Sequence, residues 1–413
     1  MRIGNLIDPF VVASVVLLVL PAVGFAQDRE QLLGGKPELH LESVHPSSVF
    51  GLELGARKQI LLSHGVQGKI ALWKVGNWNQ PTATFESENK KMILKAIFSK
   101  DMKRVYATVD PNKVVVLSLP DLEMVHSVEI PFRPGRLAEL PEKNWLAVGG
   151  NGEPKLINLD TGKIVGRIPG HKLQANGICF IPESNHVFVI GDEGEGEFTL
   201  RKWAVEKGGE SEKLVDLPSR PMRMRATKDG KQLLITTDDT AIVYDIDQGK
   251  ITDEWFGTKD RYFQDLNYWA GRDVFLTCSR TGMVEFWKSG NDQPLGGSKV
   301  TRFDVYNAVP VNRNLVLICT RTREKAIALW RLNQKAFQLV VGADNGLSKE
   351  GNTETPRKDG FRHWLSADGQ FKIEARLQSH SHGIVTLIRK HDGKAIQLRD
   401  AQLSEKDRAS LEK

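Results

Sequence analysis

The sequence predicts an all-β chain built from repeated four-stranded units, and three observations carry that prediction. A short apolar strand closed by an aromatic or aliphatic residue recurs in steps of forty-odd residues. Each step divides into four short segments punctuated by Gly, Asp and Asn turns, a pattern of strands and hairpins. Helical periodicity is absent outside the first 26 residues and the polar end of the chain, Ser404–Lys413. In such an array one unit cannot cover both of its apolar faces, so neighbours must stack.

Residues 1–26 read as a signal peptide. Arg2 precedes an apolar run, Phe10–Leu20, which Pro21 breaks, and Gly24 and Ala26 supply small residues at the −3 and −1 positions of a cleavage site. The run is shorter than the ~20 apolar residues a spanning helix needs. The mature chain is therefore expected to be exported and soluble, periplasmic or extracellular, without a membrane span; an uncleaved anchor is the alternative. Residues 27–37 form a linker. Glu38–Val44 alternates like a strand and is placed to join the last unit and latch the array. Residues 38–400 hold the repeats, with a polar insertion at 342–360, and 401–413 form a polar tail.

The repeated residue is Trp73, Leu117, Ile157, Trp203, Tyr244, Trp287, Trp330 and Ile388, which defines eight units. A first strand ends in a polar turn such as Lys228-Asp229-Gly230-Lys231. An apolar second strand follows, as in Gln232–Thr237, and a third strand carries the repeated residue. A D-x-G-K turn, Asp160–Lys163, Asp247–Lys250 or its shorter relative Asp392–Lys394, leads into the fourth strand. Trp78, Trp145, Trp255, Trp269 and Trp364 lie outside the repeated position and are expected to pack between units.

The balance of 57 basic and 51 acidic residues, a net +6, permits an anionic partner without requiring one. Three cysteines, Cys179, Cys278 and Cys319, are too few and odd in number for a disulfide framework, and read as buried thiols.

The period is that of one four-stranded propeller blade, and the units resemble the WD40 family over nearly the whole mature chain. The resemblance rests on the Trp closing the third strand in four units, the turns just described, and one Gly170-His171 pair. The Trp-Asp dipeptide is missing; Tyr244-Asp245 is nearest to it. The resemblance implies a single closed β-propeller of four-stranded antiparallel blades, eight blades preferred and seven the alternative. It also implies a non-enzymatic protein-interaction scaffold, and a buried hydrogen-bond network that includes His171, Asp192 and Trp203. Asp245–Trp255 (DIDQGKITDEW) resembles the blade motif of quinoprotein-like propellers, which would imply an envelope assembly factor or a cofactor-dependent dehydrogenase.

Catalytic signatures are missing: there is no H-E-x-x-H, G-x-S-x-G, P-loop or post-strand G-x-G-x-x-G. The expectation is a non-enzyme with no cofactor and no catalytic or metal residues. His380 and His382, near His391, read as a polar hairpin tip, because two His without a third ligand rarely hold zinc. Asp265 and Asn307 fall near first-strand starts and keep a metal-dependent lactonase-like hydrolase as an alternative. The sharper signal is an equivalent first-strand position that holds Lys95, Arg136, Arg223 and Arg362 in four units and Phe50, Gly177, Asp265 and Tyr306 in the others. First strands line the axis of such an array, so the four cations are the candidate ligand- or partner-binding residues, a partial basic ring to which Arg133, Arg220 and Arg225 add. The expected partner is a protein or an anionic polymer. No specific nucleic-acid signal is present, and the chain is expected to be monomeric.

Overall fold

The computed structural model describes residues 31–333, apart from 42–43, 46, 56–58, 258–261, 270–273, 313 and 323–325. It also describes residues 362–408, apart from 367–371, 382–383, 390–394 and 405–406. The signal peptide, the polar insertion and the imidazoles of His382 and His391 lie outside the described residues. The chain is all-β, with eight four-stranded antiparallel sheets, an arrangement consistent with propeller blades. It divides into two compact units, 1–345 and 346–413.

Seven sheets belong to the first unit. Their first strands are Val49–Leu54, Ile93–Phe98, Pro134–Leu140, Gln174–Ile181, Pro221–Ala226, Phe263–Trp269 and Val305–Pro310. Strands one to four follow in chain order in the first six sheets, each meandering outward. Seven apolar cores separate successive sheets. Trp73 shares one with the seventh sheet, Tyr244 one with the fourth, Trp287 one with the fifth and Trp330 one with the sixth. The cores run in a cycle, because the core between the seventh sheet and the first joins Val309, Leu317 and Leu329 to Val49, Leu61 and Trp73. Each fully buried large side chain of this kind stabilises the fold by about 1.5–3 kcal/mol in transfer terms alone. Trp255 and Trp269 are buried between sheets as expected, Trp255 also donating from Nε1 to the Asn291 carbonyl at 2.8 Å.

The corner after the third strand follows from local chemistry. Asp245 accepts the Gln248 backbone N–H at 2.7 Å, and Gly249 takes φ +65°, where a Cβ would be strained. Asn158 does the same before Gly162.

The N-terminal strand forms, but not where it was expected. Leu39–His40 pairs with Ile327–Arg331 and completes the seventh sheet, not the eighth. Leu32 and Leu33, just upstream, are buried in the core between sheets six and seven. The eighth sheet, Arg362–Leu365 with Lys372–Ser381, Ile384–Arg389 and Ala395–Arg399, belongs to the second unit and has its own core around Trp364, Val385 and Leu387. The polar tail contributes to that core through Leu403 and buries Asp407 beside it.

The polar network implied for His171, Asp192 and Trp203 is made with other partners. His171 bonds to Thr199 through Nε2, Trp203 donates to the Gly209 carbonyl, and Asp192 accepts the Gly194 N–H. A buried His–hydroxyl–Trp chain forms instead in the first sheet, where Ser63 Oγ lies 2.8 Å from His45 Nε2 and accepts from Trp73 Nε1 at 2.9 Å. In the sixth sheet Thr277 accepts from Trp287 in the same way. A Ser or Thr ten residues ahead of the Trp was the sequence signal for both.

Candidate functional site

Every first strand of the first unit carries a bulge at the same level. The extra residues are Phe50, Leu94, Gly135, Asn176, Met222, Gln264 and Tyr306, each skipped in the pairing with the second strand. A bulge bends its strand and leaves a residue outside the ladder. The residues just after it are structurally equivalent: Gly51, Lys95, Arg136, Gly177, Arg223, Asp265 and Asn307. The sequence alignment therefore placed five units correctly and set Phe50 and Tyr306 one residue early. Those two are bulge residues whose rings pack edge-on at 5.3 Å.

Lys95, Arg136 and Arg223 are brought together on one cavity of about 320 Å³. Period two along a strand puts the next inward residue two positions on, which adds Glu53, Cys179 and Arg225 to the lining. Arg136 and Arg223 also line a second cavity of about 220 Å³, reached past Arg133, Asn151 and Gln174. Arg362 is not part of this group. In the second unit it donates to Asp407 at 3.0 Å and lies 3.7 Å over the Trp364 ring.

The charges pair unevenly. Arg225 grips Asp265 through one nitrogen at 2.8 and 2.9 Å, and Asn267 and Asn307 donate to the same carboxylate. Lys95 meets Glu53 at 3.3 Å. Arg136 donates to three backbone carbonyls, those of Asn176, Gly135 (2.7 Å) and Met222 (2.8 Å). Arg223 crosses to the first sheet and donates to the Phe50 carbonyl at 3.0 Å. All four acceptors are bulge residues, so these two arginines take up carbonyls that the bulges turn out of the ladder.

Electrostatics follow the pairing. Burial first, and then the neighbouring Arg223, lower Arg136 to about 10. Burial lowers Lys95, Glu53 opposes it, and Arg225 and Arg223 add to it. His64 reaches the cavity from the second strand because Gly51 opposite has no Cβ; a Cβ there would sit 2.5 Å from its Nε2. Burial, followed by Lys95, holds His64 well below the usual histidine range, so it is neutral and its Nδ1 donates to the Ile93 carbonyl at 3.2 Å. Burial pushes the Cys179 thiol up to about 12, which leaves it protonated. Cys278 and Cys319 are fully buried.

Asp265 and Asn307 do converge, as the hydrolase alternative needs. The Asp265 carboxylate is surrounded by N–H donors from Arg225, Asn267 and Asn307, a donor set that fits a structural ion pair and not a metal ligand. Among the described residues no group of three metal-ligating side chains occurs, and no helix is long and apolar enough to cross a membrane. The sequence missed His64, which only the gap at Gly51 admits. Glu53 was missed as well, because setting Phe50 at the equivalent position makes Leu52 the next same-face residue.

The chain matches no protein-family model and no curated protein.

Proposed function

We propose that the chain is an exported WD40-like propeller that acts as a binding scaffold and not as an enzyme. In this reading the seven sheets of the first unit are blades of one closed ring, latched by Leu39–His40. The cycle of seven interlocking cores supports closure, since it leaves no sheet of that unit with an uncovered face. The His45–Ser63–Trp73 chain supports the WD40-like resemblance.

One observation carries the functional reading: cations from separate sheets converge on one cavity, and two of them meet only backbone carbonyls there. Such a centre attracts anionic groups. The saturated Asp265 carboxylate and the protonated Cys179 offer neither a metal site nor a nucleophile. The partner is a protein presenting acidic side chains. The test is capture on immobilised mature protein from its own envelope fraction, followed by mass spectrometry. A partner retained by the wild type and released by Arg136→Ala/Arg223→Ala supports the scaffold. Equal capture by both proteins would remove the cationic centre from the reading.

A further inference from the structure

We propose that the cavity between the first strands binds a compact divalent oxyanion, the phosphoryl group of phosphate or of a phosphate ester, held between Arg136 and Arg223. The inference rests on the reading of these cations as a binding centre and assigns the chemistry of what they bind.

The first argument is charge. Lys95, Arg136, Arg223 and Arg225 face Glu53, Glu139 and Asp265 around the cavity. Glu53 is committed to Lys95 and Asp265 to Arg225, while Glu139 accepts from the Tyr106 hydroxyl and the Lys100 N–H. The group keeps a surplus of positive charge, and Arg136 and Arg223 are its two cations without a carboxylate partner among the described residues. Backbone carbonyls satisfy guanidinium N–H groups but cancel no charge. Both line the same two cavities, and Arg136 bonds the carbonyl of Met222, the residue before Arg223, which places the two groups near enough to act on one ligand. A compact oxyanion can meet both guanidinium groups at one centre, whereas an extended diacid separates its charges.

The second argument is preorganisation. Three carbonyls from three sheets fix the plane of Arg136, so ordering it costs little on binding. Arg223 spends one of its five N–H groups on a protein acceptor, the Phe50 carbonyl, and presents the rest of a fork that suits phosphoryl oxygens. A third feature lies beside the arginines. Asn176 is 6% exposed, lines the outer cavity, and its Oδ1 is buried without a described hydrogen bond, so its side chain must shift before it can accept from a ligand hydroxyl. The larger cavity, about 320 Å³, is at the small end for ligand sites and suits a small anionic group.

The experiment is calorimetric titration of the purified full chain with inorganic phosphate and, separately, glycerol 3-phosphate, at constant ionic strength with succinate as the control. One saturable site is expected, weakened about tenfold or more in Arg223→Gln, whose one side-chain bond among the described residues is to Phe50. Arg167→Gln, whose guanidinium pairs with Glu153 outside the lining of both cavities, should change affinity by less than about threefold. Tighter binding of the ester than of phosphate assigns the natural ligand to the esters, and the reverse to free phosphate. In arginine-labelled protein, phosphate should move the Nε–Hε signals of Arg136 and Arg223 and leave that of Arg225. Folding of the variant is checked by circular dichroism. No saturable binding, equal binding by Arg223→Gln, equal binding of succinate, or a shift confined to Arg225 each overturns the assignment. A captured protein partner without phosphate binding removes this inference and leaves the scaffold; phosphate binding without a partner does the opposite.

Discussion

The two sides of the cavity between the first strands handle positive charge differently. On one side Arg225 has a carboxylate, Asp265, that is 1% exposed and fully occupied by donors. On the other, Arg136 and Arg223 have carbonyls from bulged strands. Both sides satisfy hydrogen bonding, but only the first neutralises charge. A first-strand cation is therefore structural or available according to what the facing sheet supplies. The repeat that places the cation does not decide this.

The strongest way to break the comparison is Asp265→Ala, which leaves Arg225 without its counter-charge and strands the Asn267 and Asn307 amides. Stability should fall by about 3–5 kcal/mol, measured by urea unfolding. A loss below about 1 kcal/mol would mean that the two sides are energetically alike.

Acid comes next. Burial holds His45 and His171 down to about 4 and His64 well below its usual range. A histidine depressed in the fold takes up its proton first in the unfolded chain. The stability it confers is present above about pH 6.5 and is lost as pH falls toward the folded value. From pH 7 to 5 His45 alone should remove on the order of 2 kcal/mol. The check is denaturant unfolding at both pH values, with His45→Gln flattening the difference. His64→Gln should flatten it further if the unpaired side of the cavity contributes; a chain more stable at pH 5 would contradict the argument.

A smaller effect separates two residues that the sequence treats as equivalent. Arg362→Gln removes one of several partners of Asp407, which is 3% exposed and also accepts from Leu365 and Ser404, and should destabilise the second unit by about 1–2 kcal/mol. Hydrogen exchange in Arg362–Leu365 and Lys372–Ser381 should quicken while the first unit is unchanged. Arg223→Met should cost least, within about 1 kcal/mol, because the lost Phe50 bond is offset by relief of repulsion on Arg136. A cost of several kcal/mol would make Arg223 a structural tie.

Much of this was legible in the chain. The spacing from Trp73 to Trp330 marked every third strand, and the shared position of Lys95, Arg136 and Arg223 marked one side of the cavity. What escaped has physical reasons. Phe50 and Tyr306 were set one residue early because a bulge adds a residue without a sequence mark. Glu38–Val44 was assigned to the last unit because alternation shows that a strand forms and does not name the edge it joins. His64 was invisible as a cavity residue because its exposure depends on a glycine thirteen positions away on the paired strand.

By itself the sequence determined the strand pattern, the period, and the corner turns at Asn158 and Asp245. All of these depend on interactions within a few residues or on the two-residue alternation of a strand. Only the tertiary structure decided that seven sheets share a cycle of cores while the eighth keeps its own, and that Asp265 neutralises Arg225 while Arg223 meets Phe50. These depend on contacts between segments 40 to 173 residues apart, where packing and charge balance, not local propensity, set the outcome.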